Sequence, residues 1–349
     1  MLAPVTHITA LARIRRKRML PVPGTVLVRA GQTVAATDVV AEAVLAPQHI
    51  VIDVVRGLGV PAERAMQFIE REVGEDITRG SIVAKRGMGR ELPSKVDGRI
   101  VAISNGQILV EVQSKPFQLM AGMPGTVSEV TAEYGVTIEG VGAWVQGLWG
   151  NGHISSGTLV VMMEGPDDVF SKDKLDPSQR GTVMLGGYCG DRKALEGAQE
   201  LQLRGLILSS LATPLIPIAR RMAFPVLVLE GFGKLPMNAA AYKLLSTNAG
   251  REIAVDAEPF DRFSGERPEA IIGLPAGGQP PVPLDLDTFK IGQRVRVGKA
   301  PRLAAIGSLR RLPEGLSRFN SGLRAYGAEV EFENGETSLV PLANIEVIG

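Results

Sequence analysis

Alternating apolar and polar positions repeat along the first half of the chain. The segment that starts at Gly31 aligns with the segment that starts at Gly74. Both have an aliphatic residue three positions after the glycine, then an aliphatic pair and an alanine. Glycine supplies the positive φ of a tight turn, and alternation indicates a strand with one buried face. The pattern therefore predicts short strands joined by tight turns, in two related copies.

A second repeated unit begins with glycine and continues as an alternating strand. It occurs at Asp97-Gly98, at Pro124-Gly125 and at Pro23-Gly24, with an aliphatic residue two positions after each glycine. Units of this size cannot bury a hydrophobic face alone, so they must pack on one another. Two sheets of such hairpins predict a small β-sandwich or barrel.

The order of these motifs resembles the barrel-sandwich hybrid fold. That fold serves biotinyl and lipoyl carrier domains, periplasmic adaptor proteins and domains embedded in large complexes such as RNA polymerase. The resemblance implies a barrel-sandwich-like β domain over residues 20–165, with a helical insert at about 47–72. Residues 1–19 end in a run of arginine and lysine, and we expect them to form a basic N-terminal arm.

The resemblance does not extend to the cofactor. A biotin carrier has a lysine between two methionines at the tip of the hairpin between the half-motifs. Here the candidates are Lys85 and Lys95, and neither occupies that position. We therefore predict neither biotin nor lipoate, and we interpret both lysines as solvated loop residues.

Two tryptophans, Trp144 and Trp149, lie in a glycine-dense stretch near the end of this domain. Their spacing puts them on opposite faces of a strand or separates them by a turn. Two interpretations remain open at this stage. The indoles form an exposed aromatic platform for a partner, or they cover the core of a barrel.

Strand and helix patterns alternate between residues 180 and 257. The aliphatic runs predict strands at 181–187, 205–209, 225–230 and 252–256, and helices are predicted at 191–203, 214–222 and 237–245. Near-continuous aliphatic strands between helices indicate a parallel sheet covered by helices. The sequence therefore predicts a central parallel α/β domain.

Ligands of such a sheet favour the loops after the carboxyl ends of its strands. The candidate ligand-binding residues there are Gly187, Tyr188, Ser209, Ser210, Gly231, Phe232 and Gly233. The candidates for catalysis are Cys189, Asp191 and Glu230, since a thiolate is favoured near a helix N-terminus. No histidine in the segment could act as a base, and the glycines match no phosphate-binding motif. Close turns are the competing interpretation.

The last part of the chain predicts a linker and a small barrel. Residues 258–285 are rich in proline and glycine, whereas alternation at 293–297 and 328–332 marks half-buried strands. Asn334-Gly335 indicates a tight hairpin turn. The order Gly-x-x-Val-Arg-Val, Gly-x-Leu, Val-x-Phe and Val-Pro resembles the KOW-type SH3-like barrels of ribosomal proteins and transcription elongation factors. The resemblance implies a C-terminal SH3-like β-barrel over residues 286–349.

Charge is unevenly distributed within this barrel. Residues 289–324 contain nine Lys or Arg and one Glu, whereas residues 325–349 contain five Glu and no base. Such a basic block could contact nucleic acid or an acidic protein. The candidates for this contact are Arg294, Arg296, Arg302, Arg310 and Arg311. The alternative is that the glutamates neutralise the arginines across neighbouring strands.

Composition narrows the class of protein. The 349 residues carry a net charge of +1, so no global field attracts nucleic acid or an anionic membrane. One cysteine excludes a disulfide framework and fits a reducing compartment, and three scattered histidines predict no metal site. No apolar run is long enough to span a membrane, and we expect a cytoplasmic protein.

These features predict a multi-domain α/β and β protein that binds rather than catalyses. The leading hypothesis is a non-enzymatic adaptor that contacts a protein partner in a larger assembly. The first alternative is a factor associated with nucleic acid, the ribosome or RNA polymerase through the basic C-terminal barrel. The second alternative is an enzyme that uses the strand-end loops of the α/β domain. The oligomeric state and the ligand are not predicted.

Overall fold

The computed structural model describes residues 2–45, 48–87, 89–112, 116–261, 265–275, 280–284 and 286–349. Strands are the main element of these residues and form several sheets. The described helices are α1 (Val54–Leu58), α2 (Ala62–Ala65), α3 (Arg192–Glu200), α4 (Ile216–Ala219) and α5 (Ala239–Thr247). None of these helices is long and apolar enough to cross a membrane.

The strands are numbered along the chain in three groups. Up to residue 146 they are β1 (Leu2–Thr6), β2 (Ile8–Met19), β3 (Thr25–Val26), β4 (Thr33–Val34), β5 (Val39–Ala43), β6 (Gln48–Asp53), β7 (Asp76–Ile77), β8 (Ile82–Arg86), β9 (Arg90–Pro93), β10 (Gly98–Ser104), β11 (Gln107–Val112), β12 (Phe117–Met120), β13 (Gly125–Thr131) and β14 (Gly135–Gln146). The middle group is β15 (Trp149–Gly150), β16 (Ile154–Val161), β17 (Val183–Cys189), β18 (Gly205–Leu211), β19 (Val226–Phe232), β20 (Glu252–Asp256) and β21 (Glu269–Gly273). The last group is β22 (Leu286–Thr288), β23 (Arg294–Val297), β24 (Ile306–Arg311), β25 (Ser317–Arg318), β26 (Arg324–Ala325), β27 (Gly327–Phe332), β28 (Thr337–Pro341) and β29 (Ile345–Ile348).

The repeat in the sequence produces the same strand pairing twice. In the first copy β4 pairs with β13 at Val34, and in the second copy β7 pairs with β10 at Ile77. The turn glycines Gly31 and Gly74 have φ angles of 82° and 92°, which glycine adopts without strain. The predicted turns and short strands are therefore confirmed in both copies.

The glycines that open the paired strands are required by close packing. A Cβ at Gly98 would collide with the backbone oxygen of Glu111. A Cβ at Gly125 would lie 2.5 Å from the backbone oxygen of Glu139. Only glycine allows the neighbouring strand to approach so closely. The glycine of the second repeated unit is therefore required by a close contact between strands as well as by a turn.

Residues 48–112 form a lobe with its own core, which we call the inserted lobe. It contains the sheet β6-β11-β10-β7, the β8–β9 hairpin, α1 and α2. Its core includes Leu58, Ile77, Ile100 and Ile108, whereas the first copy of the repeat packs in a different core together with β2 and β14. One lobe is therefore nested within another where the sequence predicts a single sandwich. Within the expected helical insert of about 47–72, residues 48–53 form β6, and residue 47 lies outside the described residues.

An 11-stranded mixed sheet runs through the middle of the molecule. Its order is β15-β19-β18-β17-β16-β20-β21-β14-β13-β4, and β2 pairs with β14 beside this path. The strands β16 to β19 are parallel neighbours, whereas β20 is antiparallel to β16. Helices α3 and α4 pack on one face and α5 on the other. The expected central parallel sheet is thus limited to four strands. It does not end there, because β20 continues the hydrogen bonding to β21 and β14.

A 7-stranded sheet with the order β22-β1-β29-β23-β24-β27-β28 packs around the C-terminal core. The alternating residues of β27 are buried on one face, and Gly335 in the β27–β28 turn has a φ of 80°. The predicted hairpin at Asn334-Gly335 is confirmed. The first strand of the chain belongs to this sheet, because β1 is parallel to β29 and antiparallel to β22.

Two segments that the sequence places outside the domains lie in sheets. Residues 2–19, expected as a basic arm, form β1 and β2, and burial of Ala12 and Ile14 holds the charged strand in place. Within the expected linker at 258–285, the strand β21 has four buried residues. Residues 262–264, 276–279 and 285 of that linker lie outside the described residues.

Candidate functional site

The candidate nucleophile Cys189 is enclosed at the end of β17. Its side chain is fully buried, and burial raises the pKa of the thiol to about 12. The thiol is therefore protonated at neutral pH and is a poor nucleophile. Asp191 is the N-cap of α3, since its Oδ1 accepts the backbone N–H of Lys193 at 3.0 Å. The two residues thus have structural roles in this loop.

The glycine-rich segment lies within the end of β17 and packs against the chain itself. A Cβ at Gly187 would collide with the backbone oxygen of Asp168, because the segment between β16 and β17 lies alongside β17 at this point. Tyr188 is half-buried and exchanges backbone hydrogen bonds of 2.9 Å with Asp168 and Phe170. Close packing explains these glycines, and no phosphate needs to be invoked.

The remaining strand-end candidates face protein groups. The hydroxyls of Ser209 and Ser210 donate to the backbone oxygen of Leu235 at 3.1 and 2.8 Å, and both residues are fully buried. Gly231 lies within β19 and Gly233 follows it, and their φ angles of 118° and 100° are ones that glycine adopts without strain. The aromatic ring of Phe232 is half-buried and packs edge-on against Trp149 with ring centroids 6.1 Å apart.

Glu230 belongs to a buried ion-pair network. Its Oε2 lies 2.9 Å from Nη1 of Arg296, and its Oε1 accepts the backbone N–H of Asn238. Arg296, only 2% exposed, also donates from Nε to Glu346 at 2.6 Å, and Arg267 lies 3.2 Å from the same carboxylate. The network connects β19 with β23 and β29, so it joins the two large sheets. Arg296 is therefore not on a surface that could contact nucleic acid.

The other candidate arginines of the C-terminal sheet are exposed but paired. Each lies opposite a glutamate of a neighbouring strand or loop. The pairs are Arg294–Glu333 at 3.3 Å, Arg302–Glu336 at 3.0 Å, Arg311–Glu329 at 3.3 Å, and Arg310–Glu331. This arrangement is the cross-strand neutralisation that the sequence analysis leaves open as an alternative.

The two tryptophans have different surroundings. Trp144 is 2% exposed and stacks on His7 with ring centroids 4.1 Å apart. Its Nε1 donates to Glu269 at 2.7 Å, and the guanidinium of Arg16 lies 4.5 Å from the ring centre. Trp149 is half-buried beside Phe232. Trp144 is thus a core residue, and an exposed platform formed by both indoles is not present.

A charged cleft lies where the end of β2 meets the ends of β20 and β21. Its volume is about 330 Å³. It is lined by Arg16, Arg18, Gly152, Asp256, Glu258, Pro259, Asp261, Glu266, Arg267 and Glu269. Sequence reasoning missed this site, although the basic run of β2 and the acidic residues between 256 and 269 were both visible. What the sequence lacks is the pairing that brings them together.

Within the charged cleft, burial raises the pKa of Asp256 to about 7, although Arg18 beside it acts in the opposite direction. Burial also raises the pKa of Glu266. Among the described residues, no group of His, Cys, Asp or Glu is arranged to hold a metal ion.

The cofactor candidate Lys85 forms an ion pair of 2.9 Å with Glu91 on the β8–β9 hairpin, and Lys95 is exposed.

The outer edge of β6 is a second feature that the sequence analysis missed. β6 is the last strand of its sheet and pairs with β11, and within the described residues no backbone hydrogen bond reaches its outer edge. Residues 48–51 are exposed, including Ile50 at 39% and Val51 at 52%. The β-branched run Ile50-Val51-Ile52 is typical of a strand, and this signal was available.

Comparison with known proteins adds no family. No protein-family model matches this chain, and a search of curated proteins finds no match either. The function is therefore argued from the chain's own residues.

Proposed function

We propose that this chain is a binding protein that acts in a larger assembly. It takes an extended segment of a protein partner as an additional strand beside β6. The observation that supports this proposal is the outer edge of β6, which exposes Ile50 and Val51, carries no Lys, Arg or Pro, and has no backbone partner among the described residues. Natural proteins usually protect such edges with charge, proline, a bulge or a covering segment.

The edge of β6 has the features of a strand-addition site. Unpaired backbone N–H and C=O groups offer an extended partner a row of hydrogen bonds, which is the basis of recognition by strand addition. Ile50 points towards the core face of the sheet and Val51 towards the opposite face, since they lie opposite Val110 and Leu109. An added strand would therefore find an aliphatic side chain on each face.

Further exposed apolar side chains continue the surface towards the base of the inserted lobe. Val44 and Leu45 precede β6, and Phe117 begins β12 opposite Ala43. Full burial of an aliphatic side chain contributes roughly 1.5–3 kcal/mol, part of which offsets the ordering of a flexible segment. Exposed apolar positions concentrated on a short stretch of chain are typical of interaction sites.

The two alternative functions have less support. Nucleic-acid binding through the C-terminal sheet would have to compete with the glutamates that pair with Arg294, Arg302, Arg310 and Arg311. An enzyme of the strand-end loops would need an ionisable nucleophile, and burial raises the pKa of Cys189 to about 12. A cytoplasmic location fits a chain with a single, buried cysteine and remains part of the proposal.

Site-specific photo-crosslinking in the native host tests the proposal. A benzophenone amino acid replaces Val51 in the full chain, and the same amino acid replaces Leu11 in a control. Leu11 is a suitable control because it is 40% exposed on β2, another strand at the side of a sheet. We expect position 51 to cross-link to a protein partner within an apolar, extended segment, and position 11 to give no such product.

The products distinguish strand addition from other contacts. In the purified cross-linked complex, the amides of β6 should exchange with deuterium at least about tenfold more slowly than in the free chain. Links from position 51 to a second copy of this chain alone would indicate self-association and contradict the proposal. Equal yields at positions 51 and 11 would indicate random collisions and contradict it as well.

A further inference from the structure

Arg18 links three segments at the base of the inserted lobe. Its Nε donates to the backbone oxygen of Met120 at 3.0 Å, at the end of β12. Its Nη1 lies 3.2 Å from Oδ2 of Asp256 and 2.7 Å from Oε2 of Glu258. β12 pairs with β5, which leads into β6, so one guanidinium connects the strands beneath the inserted lobe to β20, in addition to the core that β5 and β12 share with β2.

The attachment is tight on the side of β12. Gly122 follows Met120 with a φ of 78°, and a Cβ there would lie 2.7 Å from Oδ2 of Asp256. Asp256 is 8% exposed, and the side chain of Arg18 is 7% exposed. A buried carboxyl therefore packs directly against the backbone of the β12–β13 connection.

Among the described residues that line the charged cleft, carboxylates outnumber cations. Arg16 is committed to Glu269 by two hydrogen bonds, from Nε at 2.8 Å and from Nη2 at 2.5 Å. Arg18 therefore serves Asp256 and Glu258 through a single nitrogen atom, Nη1. Its Nη2 is buried without a hydrogen-bond partner among the described residues. Two carboxylates that share one donor repel each other unless one of them takes up a proton.

We propose that Arg18, Asp256 and Glu258 form a proton-operated joint at the base of the inserted lobe. With a proton on Asp256, one cation faces one carboxylate, and the end of β12 stays packed on β2 and β20. When the proton leaves to solvent, the second negative charge weakens this packing, and the backbone around Met120 and Gly122 opens more often.

The protonation equilibrium of Asp256 lies in the range that such a joint needs. Burial raises the pKa of Asp256 to about 7, Arg18 acts to lower it, and Glu258 and Glu269 act to raise it further. This pKa lies above the ordinary aspartate value, so the folded chain holds a proton that the unfolded chain releases. The joint is therefore most stable below neutral pH and loses stability as pH rises through about 7.

Other ionisable groups that face the joint come from three segments. β2 contributes Arg16, β21 contributes Glu269, and the residues between β20 and β21 contribute Asp261, Glu266 and Arg267. The β15–β16 loop contributes no charged lining residue, but His153 follows Gly152 there and is exposed. His153 provides a control position, because it is an ionisable residue beside the cleft-lining Gly152.

Hydrogen exchange of the full chain tests the joint. Exchange is followed by mass spectrometry at about pH 6 and about pH 8, with correction for the intrinsic rates. We expect the amides of residues 16–20 and 119–123 to lose protection by about tenfold at the higher pH, after that correction. Asp256→Asn should remove this change, because an amide cannot release the proton. His153→Gln should behave like the unmodified chain.

Two outcomes would overturn the joint. One is an equal loss of protection in the unmodified chain and in Asp256→Asn, and the other is removal of the change by His153→Gln. If Asp256→Asn does not fold, Glu258→Gln provides the decision. Glu258 raises the pKa of Asp256, so its replacement should move the loss of protection to lower pH. An unchanged midpoint in Glu258→Gln would contradict the proposal.

Discussion

The two strands β2 and β6 each lie at the side of a sheet, but β2 exposes charged side chains and β6 exposes aliphatic ones. β2 carries Arg13, Arg15 and Lys17 on its exposed positions, and the N–H of Arg13 bonds to the backbone oxygen of Pro281. Glu139 of the neighbouring strand lies 2.5 Å from Arg13. β6 exposes Ile50 and Val51 without Lys, Arg or Pro in the strand.

The difference indicates what each edge does. A charged edge resists the addition of another strand, because a newcomer would have to desolvate those charges. An aliphatic edge favours pairing with another strand, and the same property promotes aggregation. β2 therefore has the properties of a protected edge, and β6 has those of an unprotected edge, as the proposed strand addition requires. Changes at each strand should separate folding from binding.

The largest expected effect lies under β2. Trp144→Ala removes a buried indole, the stacking on His7 and the hydrogen bond to Glu269. We expect the free energy of unfolding to fall by about 3–5 kcal/mol, as for other buried aromatic residues. Urea denaturation measures this change. A loss of less than about 1 kcal/mol would mean that the core beneath β2 rearranges to fill the space.

A smaller effect is expected at β6, and it concerns binding. Changing Ile50 to Lys gives β6 a charge like those of β2 and leaves position 51 for the benzophenone amino acid. Partner cross-linking should fall by at least about tenfold, while the free energy of unfolding stays within about 0.5 kcal/mol, because the side chain of Ile50 is 39% exposed. Leu11→Lys on β2 is the control and should leave cross-linking unchanged. Equal losses in both variants would remove the distinction between the two edges.

Acid pH should weaken the fold through two carboxylates that are paired with arginines, Glu139 beside β2 and Glu346 in the C-terminal sheet. Arg13 lowers the pKa of Glu139. Burial acts to raise the pKa of Glu346, but Arg296 and Arg267 act more strongly together and lower it. For both groups the folded pKa lies below the ordinary value of about 4.5, so their stabilisation is present above that pH and is lost as pH falls through the folded value. Thermal unfolding between about pH 6 and pH 3 measures the loss. Glu346→Gln should lessen this pH dependence.

The smallest effect is expected for a single ion pair on β2. Arg13→Ala removes the pair with Glu139, whose arginine side chain is 49% exposed. Such a pair is worth about 0.2–1 kcal/mol, so the unfolding midpoint should hardly move. A loss of more than about 2 kcal/mol would show that the charge holds β2 in the sheet and does not only protect its edge.

Several local features could be predicted from the sequence. The glycine turns at Gly31 and Gly74, the N-cap at Asp191 and the hairpin at Asn334-Gly335 depend on residues that are close along the chain. The candidate site could not be predicted in the same way. Arg18 meets Asp256 only because β2, β20 and β21 converge, and their residues lie more than two hundred positions apart. The burial of Arg296 is not visible in the sequence, because an alternating strand pattern does not distinguish an exposed arginine from a buried one.

Turns, short strands and the internal repeat therefore follow from neighbouring residues, since φ angles and side-chain alternation are local properties. Which strand lies at the side of a sheet, and which residue pairs with a given charge, do not follow from neighbouring residues. Whether a strand lies at the side of a sheet depends on which strand arrives beside it, as when β1 pairs with β29 at Val5 and Val347. The same long-range pairing leaves the aliphatic run of β6 exposed and encloses Arg296 between two glutamates. Solvent exposure and charge pairing depend on which strands are neighbours in space, so the exposure of β6 and the burial of Arg296 require the complete fold.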